Sequence, residues 1–477
     1  MKAGFAERDI TPEMGMEKPG GYGKAFHQKV HDPCKVRAAV FDDGSNRVAL
    51  VGTDSLTIPE TVVRDARAEI EKACGIKPDC VLVGASHSHS AGPTCMIQPG
   101  QFDHASDLVK LLAYEKSSCA DARFLDLVRR QIVAAVTAAD QKRVDARACV
   151  GSGHEDSVAF NRRFRMKNGL SFTHPGKLNP DIIEPAGPID PEVGVIGAWD
   201  ADGKFLGCVV NFACHGTTGT GGTSADWIYY LEQTIRGVMG DEATVVFLNG
   251  ACGDVTQVDN LNPRARESGE PVARMVGQCV GAEALKVLVK AEPGDLGPVC
   301  GRNEIMPIER RKPNPERVKK CTEMASDDRE KHDATEWTFA KEIVMLDALL
   351  ETEPVADVEV QAIQVGPAVF LANPAEYFCQ FGLDIKAGSK FPFTFPVELA
   401  NGCVGYVPTE DALGESGGGY ETRLSAYSNL RPTAGREIAN ACIRLANTLE
   451  PGAVPEPDKV PPSHSPWGYG AVAPELE

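Results

Sequence analysis

The chain has 477 residues, of which 42% are hydrophobic and 24% are charged, and its formal net charge is -18. This length and hydrophobic content are enough to bury a large core, as in an ordinary globular protein. The acidic balance excludes a surface built for nucleic acid or anionic membranes, because both kinds of partner require clustered positive charge.

The sequence also bears on the compartment. No apolar run approaches the roughly 20 residues that span a bilayer, and the opening MKAGFAERDITP lacks the apolar stretch of a secretory signal. The 15 cysteines are scattered through apolar segments, which favours buried reduced thiols over a disulfide framework. These patterns predict a cytoplasmic protein without a transmembrane segment, or a secreted one if a signal peptide has been removed.

Helical and strand patterns alternate through the first 290 residues. Segment 59–75 has Pro59 at a first helical position, apolar residues at helical spacing and Gly75 as a stop signal, which together predict a helix. The apolar strand CVLVGAS follows at 80–86. The same reading predicts helix 121–139, strand 145–151, strand 205–213, helix 226–239, strand 243–249 and helix 270–290.

The strands VLVGA, GCVVNFA and TVVFLNG are apolar throughout, and each ends in polar, glycine-rich sequence. Such strands are typical of a sheet that is covered on both faces. The interleaved order predicts an α/β fold with a mixed β-sheet core covered by helices. Because ligand sites in these sheets lie beyond the carboxyl ends of strands, we expect SHSHS, CHGTTGTGG and GACGDVTQ to converge there.

The carboxyl-terminal part of the chain is less regular. Segment 301–350 is rich in charge, and we expect an exposed helical excursion without a catalytic role. Strand alternation on both sides of a Gly-Pro turn predicts a hairpin within 358–376, which places Glu376 just after it. The proline-rich residues 451–477 are expected to form an extended tail, so that residues 1–450 make a single domain.

Three of the 10 histidines follow apolar strands. His87 and His89 stand two positions apart, and positions i and i+2 of a strand point to the same face. His215 ends a second strand in NFACHGTT. Catalytic zinc commonly takes about three protein ligands from histidine and carboxylate and keeps one position open for water. The alternative is that these histidines bond to nearby backbone.

A carboxylate would complete such a metal site, and the sequence alone does not choose one. Four acidic residues lie at segment ends, namely Asp54, Asp226, Asp254 and Glu376. Asp226 precedes an amphipathic helix, where aspartate commonly caps free backbone N–H groups. Asp254 can similarly form the turn that holds the GACGD loop.

Two common catalytic motifs are missing from the sequence. The stretch GTTGTGG at 216–222 lacks the Gly-Lys-Ser/Thr ending of a phosphate-binding loop. No Gly-x-Ser-x-Gly elbow is present. The sequence therefore favours neither a nucleotide site nor a serine hydrolase of the usual α/β type.

Eight separated motifs resemble those of the neutral/alkaline, non-lysosomal ceramidases, and they occur in that family's order. They are ERDITPEMG, GTDSLTIP, SHSHSAGPT, FNRRFR, NFACHGTT with SADW, NGACGDVT, NPAEYF, and LANGCVGYVPT with GGGYET. The resemblance implies that residues 1–450 form a catalytic domain without the family's carboxyl-terminal immunoglobulin-like domain.

The resemblance also implies a set of metal ligands. Zinc in that family is held by the first histidine of the pair, a later strand-end histidine, a glutamate and a tyrosine. By their places in the motifs, the corresponding residues are His87, His215, Glu376 and Tyr406. Tyrosine is an unusual zinc ligand, and without the resemblance Tyr406 is better explained as a packed ring with a tethered hydroxyl.

Further residues of the family surround the reacting carbonyl. Their counterparts are a second histidine, His89, an arginine, Arg162, and a second tyrosine, Tyr420. Arg163 is an alternative to Arg162, and a carboxylate-paired edge is the structural explanation for the arginine pair. Thr256 stands where the family has a serine and keeps the hydroxyl, so the resemblance makes it a further catalytic candidate. This departure, and NPAE in place of a Pro-Gly-Glu turn, put ceramide itself in doubt as the substrate.

The implied reaction is a zinc-dependent hydrolysis of the amide (N-acyl) bond of a small-molecule or lipid-like substrate. Glu376 would be both ligand and proton acceptor, while His89, Arg162 and Tyr420 would stabilise the oxyanion. One alternative is the same metal centre acting on another substrate, as an ester, peptide or carbohydrate hydrolase or lyase. A second alternative is a binding protein that has kept the fold without turnover.

Overall fold

The computed structural model describes residues 1–464, 467–470 and 472–477. Its strands are β1 (Lys2–Asp9), β2 (Lys35–Asp42), β3 (Arg47–Thr53), β4 (Val81–Ala85), β5 (Val144–His154), β6 (Phe160–Asn161), β7 (Arg163–Met166), β8 (Ser171–Thr173), β9 (Ile182–Pro185), β10 (Glu192–Asp200), β11 (Phe205–Phe212), β12 (Thr244–Asn249), β13 (Val255–Thr256), β14 (Val299–Glu309), β15 (Val355–Val365), β16 (Ala368–Ala372), β17 (Glu376–Tyr377), β18 (Phe393–Val397) and β19 (Tyr406–Val407). Its α-helices are α1 (Glu60–Cys74), α2 (Asp107–Lys110), α3 (Ala122–Gln141), α4 (Trp227–Met239), α5 (Glu270–Lys290), α6 (Pro315–Ala325), α7 (Ala334–Thr352), α8 (Cys379–Gly388) and α9 (Ala434–Asn447).

Eight strands form one mixed sheet, in the order β12-β11-β10-β5-β1-β2-β3-β4. The two edge pairs, β3 with β4 and β11 with β12, are parallel, and the strands between them pair antiparallel. Helices α1 and α3 pack in one buried cluster with β1 to β4, and α4 and α5 pack in a second with β10 to β12. The predicted α/β fold with a mixed sheet covered by helices is confirmed.

The two edges of this sheet lie far apart in strand order, yet they meet because the sheet folds over on itself. Gly52 of β3 lies against β12, where a Cβ would stand only 2.3 Å from the carbonyl oxygen of Phe247. Only glycine permits so close an approach of two backbones. Gly84 of β4 faces Leu248 of β12 in the same way. The carboxyl ends of β4, β11 and β12 therefore open onto one region.

The helix ends follow the local sequence signals. Helix α1 ends on Gly75, which adopts the left-handed conformation with φ 75°. Helix α4 begins at Asp226, whose carboxylate accepts a hydrogen bond from the backbone N–H of Trp227. The capping role expected for Asp226 is therefore confirmed, as is the predicted hairpin, in which β15 turns at Gly366 into β16.

The charged segment at 301–350 differs from the exposed excursion that was predicted. It starts within β14, which pairs along its whole length with β15 in a second sheet of order β14-β15-β16-β18. Helix α7 is largely buried, and Trp337, Met345 and Leu349 lie in an apolar cluster. The prediction of exposed helices is confirmed for α6, in which only Ala325 is buried. It is wrong for β14 and α7, because the charges of 309–336 dominated the composition and hid the apolar run of α7.

The end of the chain contains no helix or strand among its described residues. The predicted extended tail at 451–477 includes positions 465, 466 and 471, which lie outside the described residues. The division into one domain and a tail stays a prediction. All 15 cysteines are free thiols, as expected. Within the described residues, no helix combines the length and the apolar composition needed to cross a membrane.

Candidate metal centre

Three histidines meet beyond the carboxyl ends of β4 and β11. The ring centres of His87 and His215 are 4.4 Å apart, and those of His87 and His89 are 4.8 Å apart. One nitrogen from each ring lies within 4.8 Å of the other two. The structure thus brings together side chains from two loops that lie more than 120 residues apart in the sequence.

His87 and His89 are not neighbours through strand alternation, as the spacing suggested. Strand β4 ends at Ala85, and His87 adopts φ 60°, which is uncommon for a residue with a side chain. This left-handed turn directs both rings to the same place, where their Nε2 atoms are 3.3 Å apart. The expected pair is present, and a turn rather than a pleated strand creates it.

Backbone carbonyl groups fix the tautomer of all three rings. In each ring, Nδ1 faces a carbonyl oxygen at hydrogen-bonding distance. The pairs are His87 with Leu56 at 3.0 Å, His89 with Gly20 at 3.2 Å and His215 with Val255 at 3.0 Å. Because a carbonyl oxygen only accepts, Nδ1 carries the proton and Nε2 carries the lone pair. Metal-binding histidines are commonly held in this way.

Glu376 is the acidic candidate that reaches these histidines. Its Oε2 atom lies 3.3 Å from Nε2 of His87 and 3.4 Å from Nε2 of His215. Two ligands of a tetrahedral zinc ion, each bound at about 2.0–2.1 Å, stand about 3.3–3.4 Å apart. Oε2 is buried and receives no hydrogen bond. Because such an oxygen is costly to bury alone, the arrangement fits a cation held between these three atoms.

The other three acidic candidates have structural roles. Asp54 pairs with the buried guanidinium of Arg37 at 2.8 Å. Asp226 caps α4, as described above. The carboxylate of Asp254 accepts a hydrogen bond from the backbone N–H of Cys379 at 2.8 Å, so it ties the GACGD loop to α8.

The two neighbouring arginines point in different directions. Nη1 of Arg162 lies 3.1 Å from Nε2 of His215, and its Nε donates to Glu421 at 2.8 Å. Arg163 instead donates to the carbonyl oxygen of Gly418 at 2.8 Å. Arg162 therefore faces the histidines, in agreement with the choice made from the motif, and Arg163 supports the neighbouring loop.

Tyr406 and Tyr420 lie together beside Arg162. Their hydroxyl oxygens are 2.9 Å apart, and Nη2 of Arg162 donates to the hydroxyl oxygen of Tyr406 at 3.1 Å. Both rings line the space over the histidines. The hydroxyl of Tyr406 thus has two protein partners, and its role as a metal ligand stays a prediction.

Thr256 lies in β13, which pairs with β6. Its hydroxyl accepts a hydrogen bond from the backbone N–H of Val258 at 3.2 Å. Thr256 is not one of the residues that line the space over the histidines. A catalytic role for Thr256 stays a prediction, and the contacts of its hydroxyl indicate a local structural one.

A cavity of about 60 Å³ adjoins the histidines. Its lining combines His89 and Glu376 with four tyrosines, namely Tyr22, Tyr406, Tyr420 and Tyr427. Tyr427 and Met96 also line a cleft of about 870 Å³. A cleft of this size can hold a small molecule.

Burial and charge set the protonation of the cluster. Burial, together with the positive charge of Arg162, lowers the pKa of His215 to about 3, so that its ring is neutral at pH 7. Burial alone would raise the pKa of Glu376, but His87 and His215 hold that pKa well below its ordinary value. An ionised carboxylate beside a neutral imidazole is a donor set that suits a divalent cation.

The sequence reasoning missed two residues that support the cluster. The hydroxyl of Tyr427 donates to Oε1 of Glu376 at 2.6 Å. Oε2 of Glu398 accepts from the backbone N–H groups of Tyr377 and Cys252, each at 2.9 Å, and so joins β17 to the GACGD loop. Glu398 directly follows the apolar strand β18, so the rule that polar residues at strand ends are candidates would have found it.

Glu398 gives a prediction for the pH dependence of stability. Burial raises the pKa of its carboxyl to about 7, above the ordinary value near 4.5. A raised pKa favours folding when the group is protonated, and this contribution is lost as pH rises through the folded-state pKa. We therefore compare the unfolding free energy of metal-free Glu398→Gln with that of metal-free wild type at two pH values. We expect this difference to shift in favour of the variant by about 2 kcal/mol from pH 5 to pH 8.

Urea unfolding at both pH values, in the presence of a chelator, measures this difference. The exposed acid Glu60 provides a control, because Glu60→Gln removes a carboxylate that is not buried. We expect Glu60→Gln to track wild type at both pH values. A stability difference between Glu398→Gln and wild type that is the same at pH 5 and pH 8 would contradict the assignment.

Comparisons with known proteins bear on this site. No family model matches the chain. The curated neutral ceramidase of Pseudomonas aeruginosa is 27% identical over 225 residues, and the match covers 46% of this chain and 30% of that protein. The match thus spans less than a third of the length of the curated relative.

Two solved structures share the fold. A ceramidase complexed with C2 has a TM-score of 0.67 and 18% identity, and the match covers 95% of this chain and 77% of that one. The crystal structure of neutral ceramidase from Pseudomonas aeruginosa has a TM-score of 0.66 and 18% identity, and the match covers 95% of this chain and 76% of that one. The chain therefore has the neutral ceramidase fold and resembles the neutral ceramidases in sequence, as its motifs predicted.

Proposed function

We propose that this protein is a zinc-dependent hydrolase that cleaves the amide bond of an N-acyl substrate. The observation that carries the proposal is the position of Oε2 of Glu376. This oxygen is buried, receives no hydrogen bond, and lies between Nε2 of His87 and Nε2 of His215. The likeness to a neutral ceramidase supports hydrolysis of an amide. The donor set of two imidazoles and one carboxylate supports zinc.

His87, His215 and Glu376 would hold the ion. His89 stands further out, since its ring centre is 5.9 Å from that of His215, whereas the ring centre of His87 is 4.4 Å from it. His89 also lines the cavity, which neither His87 nor His215 does. We therefore place His89 on the substrate side of the cluster, and Tyr406 is the fourth ligand that the family resemblance offers.

The hydrogen bond of His89 changes the role expected for it. Its Nδ1–H is given to the carbonyl oxygen of Gly20, which leaves the lone pair of the neutral ring on Nε2. Nε2 of the neutral ring can accept a proton but cannot donate one to an oxyanion. His89 is thus better suited to accept a proton and pass it to the leaving amine.

Zinc, if bound, would lower the pKa of a coordinated water to roughly 7 and would so supply a hydroxide nucleophile at neutral pH. Arg162 stays protonated, and its Nη1–H donates to Nε2 of His215 at 3.1 Å. When that lone pair binds zinc, the N–H would be free to stabilise negative charge on the substrate oxygen. The hydroxyl of Tyr420 lines the cavity and can assist as a second donor. The buried surroundings strengthen both interactions.

Metal analysis together with substrate hydrolysis tests the proposal. We expect one zinc per chain and cleavage of an N-acyl substrate that stops after treatment with a chelator and returns when Zn²⁺ is added. Hydrolysis of matched esters without any cleavage of amides would instead support the alternative substrate classes. Protein that binds no zinc and turns over no substrate would support the binding protein.

A further inference from the structure

We propose that Tyr427 is a positioning residue that orients the Glu376 carboxylate, holding one oxygen so that the other faces His87 and His215. This inference rests on the metal site of the proposed function. It assigns a role to a side chain that neither the motifs nor the ligand set includes. It also explains why one carboxylate oxygen of Glu376 is satisfied and the other is not.

The two oxygens of Glu376 have different surroundings. Oε1 accepts the hydroxyl hydrogen of Tyr427 at 2.6 Å, a short bond of the kind that a charged acceptor makes. Oε2 has no hydrogen bond and lies 3.3–3.4 Å from the two imidazole nitrogens. The terminal torsion of a glutamate is broad, so the carboxylate needs a partner to hold one orientation. Tyr427 provides that partner.

The loop that carries Tyr427 is itself held in place. Oγ of Ser425 accepts from the backbone N–H groups of Tyr427 at 3.3 Å and Ser428 at 2.8 Å. Gly405 adopts φ 73°, and a Cβ there would stand 1.7 Å from the carbonyl oxygen of Tyr427. Only glycine permits the loop to pack this closely against β19. The hydroxyl therefore reaches Glu376 from a rigid support.

The variant Tyr427→Phe removes the hydroxyl and keeps the ring that lines both the cavity and the cleft. The probe is Zn²⁺ alone, titrated into metal-free protein against a chromogenic chelator. We expect the dissociation constant for Zn²⁺ to rise about 10–100-fold, as is typical when a partner of a metal ligand is removed. A Zn²⁺ affinity within two-fold of wild type would overturn the proposal.

Tyr377→Phe is the matched control. Its hydroxyl is buried and donates to the carbonyl oxygen of Gly435, on the side of the fold formed by α9. This variant should lose stability on heating and leave the affinity for Zn²⁺ unchanged. If both variants weaken Zn²⁺ binding equally, the effect of Tyr427→Phe comes from general loosening of the fold, and the positioning role is wrong.

A double-mutant cycle tests the route of the effect. In a Glu376→Ala background no carboxylate remains to be oriented, so adding Tyr427→Phe should change the Zn²⁺ affinity less than two-fold. An equal loss in both backgrounds would show that Tyr427 acts without Glu376. If wild type binds Zn²⁺ but cleaves no amide, the proposed function fails and the positioning role stands; if wild type binds no Zn²⁺, both fail.

Discussion

The His215→Ala variant should lose most of its bound zinc and all measurable hydrolysis, whereas His89→Ala should keep the metal and lose only turnover. His215 is buried, and its Nε2 lies 3.4 Å from Oε2 of Glu376. His89 lies at the edge, with its ring exposed to the cavity. Removing a proton-transfer residue costs about 10²–10⁴-fold in turnover, so His89→Ala should fall in that range.

Metal content after exhaustive dialysis, measured beside kcat on the same preparations, separates the two variants. The circular dichroism spectrum is the control for folding, and both variants should retain the wild-type spectrum. Equal loss of zinc in both would make His89 a ligand, and the site would then be built on three histidines. Full retention of zinc in His215→Ala would remove the basis of the proposed function.

The parts of the fold that the sequence predicts well are those with a local cause. Helix α1 stops at Gly75 and helix α4 starts at Asp226, because glycine and aspartate act on the neighbouring backbone alone. The convergence of three strand ends was also predictable, since apolar strands in an α/β sheet point their polar ends to shared regions. The contact between the two edges of the sheet at Gly52 was not predictable, because no residue near that glycine in the sequence identifies β12 as its partner strand.

The same distinction applies to the site. His87, His89 and His215 stood out because each follows an apolar strand, and the family resemblance selected Glu376 from several acidic candidates. Tyr427 did not stand out, because its function depends on one hydrogen bond to a residue 51 positions away. The tautomer of His89 was equally hidden, since it is set by a carbonyl group in a loop near the start of the chain. Contacts between loops decide these features, and single-sequence patterns do not encode them.

Arg162 and its neighbour Arg163 allow a matched test of the oxyanion site. Arg162→Lys keeps the positive charge but cannot reproduce the fork that contacts His215, Tyr406 and Glu421 at once. We expect kcat to fall about 10²–10³-fold, the usual cost of losing one oxyanion donor, which is about 2.7–4 kcal/mol of transition-state stabilisation. The metal content should stay at the wild-type level.

Arg163→Lys is the control, because Arg163 is also buried but donates to Gly418, away from the histidines. It should lower the melting temperature while leaving kcat within a few-fold of wild type. Arg162→Lys is expected to lower the melting temperature as well, since Glu421 is buried and loses its paired N–H. Stability therefore does not separate the two arginines, and turnover does. Comparable losses of kcat in both variants would mean that packing of the FNRRFR segment, rather than a charge aimed at the substrate oxygen, is what activity requires.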